Sequence, residues 1–167
     1  MSNFRIEGSS SYEYVSGAYT YDQALAGAAA AGGWLLTVES AAENTAVSTW
    51  VAAITNTSAK VWLGVSDASV EGTWRYTSGP ATGQVATYLN WYPGNPDNWT
   101  GADNYSYMGI WSGAVGLWHD VTTTEGGVSY VIERSYSGAL TGTSDADTIT
   151  GGSGNDTIDG GLGNDIL

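Results

Sequence analysis

The chain has 167 residues, 42% of them hydrophobic, with eight Trp and eleven Tyr, enough for one ordinary domain with an aromatic core plus a short appendage. Its 17 acids against four basic residues give a net charge of −13, which argues against nucleic acid as a partner and suits divalent cations. There is no cysteine and a single histidine, which excludes disulfides, thiolate zinc sites, cysteine nucleophiles and multi-histidine metal sites.

The start "MSNFRIEGSS" lacks a basic segment followed by an apolar block, so no cleavable secretory signal is visible, and no apolar run approaches a membrane span. In "TYDQALAGAAAAGG", Thr20 caps a predicted helix, Gln23 completes a capping box, and Gly32 and Gly33 stop it. The apolar run "WLLTV" reads as a short strand. A second helix is predicted in "SAAENTAVSTWVAAIT", with Ser40 and Glu43 repeating the capping signature and Val47, Trp50, Val51 and Ile54 on one face. Glu39, Glu43 and Glu71 read as helix-cap and surface residues. After Lys60 the segments "VWLGVSD", "GTWRYTS", "YSYMGIWS", "VGLWHDVT" and "GVSYVIER" read as strands. A strand, two helices, then irregular strands with one long loop predict an α+β domain with an antiparallel sheet.

That loop contains "NWYPGNPDNWTGAD", which is either a turn rich in Pro, Gly, Asn and Asp or a ligand site, since a turn needs neither its tryptophans nor the further Asp. From Ser135 the composition changes. "GTSDADTIT", "GGSGNDTID" and "GGLGNDIL" form a nine-residue repeat, G-G-x-G-x-D-x-U-x, in which Ile149, Ile158 and Ile166 supply one apolar residue per unit.

Residues from about Tyr12 to Arg134 resemble a C-type lectin domain. The resemblance lies in the two helices, "VWLGVSDASVEGTWRY", the "NPD" loop, "GLWHD" and the final "YVIE", all in order. The tail resembles the RTX repeats of bacterial type I-secreted proteins. Together these imply a C-type lectin-like domain over 1–134, a linker over 135–141 and the start of a parallel β-roll over 142–167. The family's two disulfides are absent: Ala28 and Ile132, and Tyr105 and Thr123, stand at the cysteine positions. The core would therefore rest on aromatic burial, with Trp34, Trp50, Trp62, Trp74, Trp91, Trp111 and Trp118 mostly inside.

For function, the resemblance implies a cis-Pro96 flanked by calcium ligands Asn95 and Asp97, with Asp103 downstream and His119 and Asp120 at the W-N-D position. The same residues, with Trp99, would bind carbohydrate. Asn95–Pro96–Asp97 resembles the galactose-type Q-P-D order, and Trp99 stands where galactose-type members carry a stacking Trp. His119 departs from the usual Asn, and imidazole is a poor calcium ligand. Three outcomes compete: weaker calcium binding, a water in the missing place, or a site that has lost its metal. In the tail, Asp147, Asp156 and Asp165 are the implied calcium ligands. The resulting expectation is a Ca2+-dependent lectin module of a secreted or cell-surface bacterial adhesin, binding glycans with terminal galactose or N-acetylgalactosamine. It inserts into no membrane and catalyses nothing, as no Ser–His–Asp pattern or paired-carboxylate cleft can be argued. The alternative is a calcium-independent scaffold that binds proteins or surfaces. No oligomeric state follows from the sequence.

Overall fold

The computed structural model describes residues 3–136, 140–141, 158–159, 162–164 and 166. Strands β1 (Phe4–Glu7) and β2 (Ser10–Val15) form a hairpin whose turn uses Gly8 at φ 55°. Helix α1 (Tyr21–Ala30) follows, then the two-residue strand β3 (Trp34–Leu35), helix α2 (Ala41–Thr55) and the long strand β4 (Ser58–Ser66). Strand β5 (Arg75–Tyr76) precedes the long loop. The strands β6 (Tyr105–Trp111), β7 (Trp118–Val121) and β8 (Ser129–Ser135) close the body.

Local chemistry accounts for both helices. Thr20 accepts from the Gln23 amide at 3.3 Å while the Gln23 side chain takes the Thr20 amide at 2.9 Å, a complete capping box. Ser40 caps α2 by accepting from the Glu43 amide at 3.2 Å, but the Glu43 carboxylate behaves otherwise than expected. It turns back to the Glu39 amide and accepts the Tyr12 hydroxyl at 2.9 Å, so Glu43 is a half-buried link from α2 to β2 rather than a surface residue.

The main sheet runs β1-β2-β8-β4-β6-β7, with β3 on β8 and β5 on β4, and every pair is antiparallel except β4 with β8. Its central strands are covered on both faces. Val61, Leu63, Met108, Ile110 and Val131 pack with Val47, Trp50 and Val51 of α2 on one side. Trp62, Tyr107, Tyr130 and Ile132 pack with Tyr21, Ala24 and Ala28 of α1 on the other. Ala28 and Ile132, which the resemblance sets where a disulfide would stand, thus share one apolar cluster. Trp50, Trp62, Trp74 and Trp118 are buried, whereas Trp34, Trp91 and Trp111 are half-buried. Gly64 lets β4 approach closely: a Cβ there would lie 2.4 Å from Ser78 Oγ and 2.8 Å from the Leu35 carbonyl.

In the tail, strands β9 (Leu140–Thr141) and β10 (Ile158–Asp159) pair in parallel, Ile158 with Leu140 and Asp159 with Thr141. The partners are eighteen residues apart, which is two nine-residue repeats. Among the described residues, no helix is long and apolar enough to cross a membrane.

Candidate functional site

The long loop is fastened to the body through β7. Backbone bonds from Trp118 N to Asn90 O and from Tyr92 N to Trp118 O, both 2.8 Å, make Trp91 a bridge partner of Trp118. The Asn90 and Asn44 side chains both donate to the Gly116 carbonyl, and the Trp118 indole N–H donates to Asn44 Oδ1 at 2.9 Å. The register of β7 is therefore pinned from α2 and from the loop at once.

Alternation along β7 then sorts the next two residues. Trp118 and Asp120 are buried on one side, and His119 and Val121 turn to the other. Asp120 Oδ2 accepts the backbone N–H groups of Asp97 at 3.0 Å and Asn98 at 2.7 Å, holding the loop over the strand. The Asn95–Pro96 bond is cis. Asp97 Oδ1 accepts the Trp99 amide. Buried Asp103 takes both the Thr100 amide and hydroxyl, at 2.7 and 2.8 Å, while its own amide donates to Asn98 Oδ1.

These contacts converge three acids. Asp97, Asp103 and Asp120 each offer an oxygen within 4.8 Å of the others. Asn95 Oδ1 and Asp120 Oδ1 are buried acceptors with no hydrogen-bond partner. Buried acceptors left unmatched are costly, about 1–3 kcal/mol each, and clustered carboxylates repel. A hard divalent cation relieves both problems, so the donor set fits calcium. Trp99 stands beside this group, 87% exposed.

His119 is not among the converging groups. Its ring is stacked between Tyr92 and Tyr107, at centroid separations of 4.9 and 5.2 Å, with Trp111 tilted nearby at 5.4 Å. Burial holds its pKa below the ordinary histidine value, although the charges of Asp120 and Asp97 pull the other way. Asp147, Asp156 and Asp165 lie outside the described residues.

Two features escaped the sequence reading. Asp67 is buried, accepts the Gly72 amide on Oδ2 at 2.8 Å and leaves Oδ1 without a partner, while its own amide donates to the Asn104 carbonyl at the end of the long loop. The Asp after "WLGVS" was the available signal. At the far end of β8, Glu133 is only 5% exposed and accepts from Ser10 Oγ and from both the amide and hydroxyl of Thr37. Burial, and next the nearby Glu43 charge, push the Glu133 carboxyl up to about 7.

Two family models match the chain. The family model for the Lectin C-type domain matches residues 17–128, more than half of the chain, and that for the RTX calcium-binding nonapeptide repeat matches 137–167. A Perlucin-like protein of Mytilus galloprovincialis is 28% identical over 104 residues. The chain spans about 60% of the length of that curated relative, and the match covers 60% of the chain. Among solved structures, the C-type lectin CEL-I from Cucumaria echinata superposes with a TM-score of 0.68 at 24% identity, covering 80% of this chain and 95% of that one. Human lithostathine gives 0.69 at 20% identity, covering 80% and 88%. A calcium-independent type II antifreeze protein gives 0.62 at 21%, covering 81% and 93%. At these identities the structural likeness establishes the fold alone.

Proposed function

This chain belongs to the C-type lectin domain family, and on that premise we propose that it is a calcium-dependent carbohydrate-binding module. One observation carries the reading: the oxygens of Asp97, Asp103 and Asp120 meet within 4.8 Å, beside the unmatched buried acceptors Asn95 Oδ1 and Asp120 Oδ1. Asn95, Asp97, Asp103 and Asp120 would hold the ion. Calcium takes six to eight oxygens and, when bound, supplies a positive centre for sugar hydroxyls. Around it the Asn95 amide donates and Asp97 only accepts, an order that supports terminal galactose or N-acetylgalactosamine. Trp99 offers an exposed flat face for the apolar side of a sugar ring.

Family membership points to a non-enzymatic protein. We take 1–134 as the lectin-like domain, 135–141 as a linker and 142–167 as RTX repeats in which Asp147, Asp156 and Asp165 bind further calcium. The repeats support a secreted or surface-exposed bacterial adhesin. A second reading, a calcium-independent surface-binding scaffold, draws on His119, which is occupied in an aromatic stack where the family's W-N-D motif has a ligand. A glycan array with and without EDTA separates them. The proposed function expects galactose-type signals only with calcium, and undiminished signals in EDTA would favour the scaffold.

A further inference from the structure

The chain has four basic side chains. Three of them are neutralised: Arg5 by Glu7, Lys60 by Glu125 and Arg134 by Glu13. Arg75, on β5, is the one cation without an ion pair among the described residues. Its guanidinium donates from Nη1 to the Gly83 carbonyl at 3.0 Å, which engages one of five N–H donors. An arginine left without an ion pair in a chain of net charge −13 is conspicuous, because acids are plentiful and, among the described residues, none lies within ion-pair distance of it.

Arg75 lines a cavity of about 370 Å³ between α1, the end of β4 and β5. Its walls include Tyr76 and Tyr105, with Thr77 and Thr82 adding hydroxyls and Asp22 a carboxylate. None of Asn95, Asp97, Asp103 or Asp120 lines it. We propose that this cavity is a second binding site, independent of calcium, that takes a single sugar acid with its carboxylate on Arg75.

The ligand class follows from the lining. A guanidinium fork with free donors matches a carboxylate bidentately. The half-buried Tyr105 ring suits the apolar face of a pyranose, and the volume lies at the lower end of small-molecule sites, which favours one ring over an oligosaccharide. Asp22 opposes a bare anion but accepts from ligand hydroxyls, so a molecule carrying both a carboxylate and hydroxyls satisfies the whole lining.

The test is an amide chemical-shift titration of the full chain in EDTA with D-glucuronate, D-glucose and acetate. Glucuronate should shift the amides of Arg75, Thr77 and Gly83 and bind at least about tenfold more tightly than glucose or acetate. R75Q should lose about tenfold in glucuronate affinity, and R75K, which keeps the charge without the fork, should lose part of it. Asp97→Ala should bind glucuronate unchanged. If R75Q does not fold, the glucuronate-to-glucose ratio of the wild type and the R75K result decide. Equal affinity for glucose and glucuronate, acetate binding as tightly as glucuronate, shifts confined to the 95–103 loop, or full affinity in both Arg75 variants would each overturn the proposal.

Discussion

Replacing Glu133 by Gln should make the protein more stable at pH 8 and leave it nearly unchanged at pH 4.5. Glu133 is 5% exposed and its carboxyl is raised from 4.5 to about 7, chiefly by burial and then by the Glu43 charge. Between those values the native state holds a proton that the unfolded chain has released, so stability falls as pH rises. The stabilising effect of that proton is complete below the unfolded value and is lost on passing the folded one. A rise from 4.5 to about 7 corresponds to about 3 kcal/mol at pH 8, each pKa unit being worth 1.36 kcal/mol. Gln is isosteric and uncharged. Its carbonyl can accept from the Thr37 amide and hydroxyl, and its NH₂ can donate to Ser10 Oγ, whose hydroxyl then reverses. Urea unfolding of both proteins in EDTA, from pH 4.5 to 8, gives the difference directly; the acids remote from Glu133 cancel in the comparison, and relief of Glu43 adds to the gain at high pH in the same direction. A difference independent of pH, or a variant less stable than wild type at pH 8, would refute the buried-charge argument.

Asp97→Ala should abolish calcium and sugar binding at the loop, as calorimetry would register, while leaving calcium uptake by the repeats in place. Trp99→Ala should keep calcium affinity but weaken galactose by about 1–2 kcal/mol, the scale of an aromatic contact face; an unchanged galactose affinity would remove Trp99 from the site. A chain ending at Arg134 should retain a cooperative thermal transition, because both apolar clusters lie before that residue. A molten or insoluble product would show that the boundary is misplaced.

What the sequence made legible was whatever is local. Thr20 and Gln23, or Ser40 and the face of Val47, Trp50 and Val51, are set by spacings of three or four residues, and the helices stand where those spacings put them. The RTX register is equally local, and the eighteen-residue offset of β9 and β10 matches it. Hidden were contacts across the chain. Glu43 reads as a cap, but its hydroxyl partner lies 31 residues earlier; Glu133 reads as the end of a strand, but its partners are Ser10 and Thr37. His119 is a related case. Its place in "GLWHD" directs attention to the acid beside it, yet strand alternation turns it toward Tyr107, its cross-strand neighbour, and Tyr92 closes the stack from the loop.

The bonds from Asp97 N and Asn98 N into Asp120 have a bearing on how this surface can diversify. Both donors are main-chain groups, so the anchoring of the loop on β7 does not depend on which side chains positions 97 and 98 carry. Substitution at the exposed positions 97 and 99 leaves that anchor in place, provided that Asp120 is retained. The anchor is thereby carried by main-chain atoms, and the exposed Trp99 ring is left to recognition. With Asp97 kept for the ion, position 99 can be randomised as a library, and the variants that fail to bind should still fold, leaving a screen that reports on ligand choice alone.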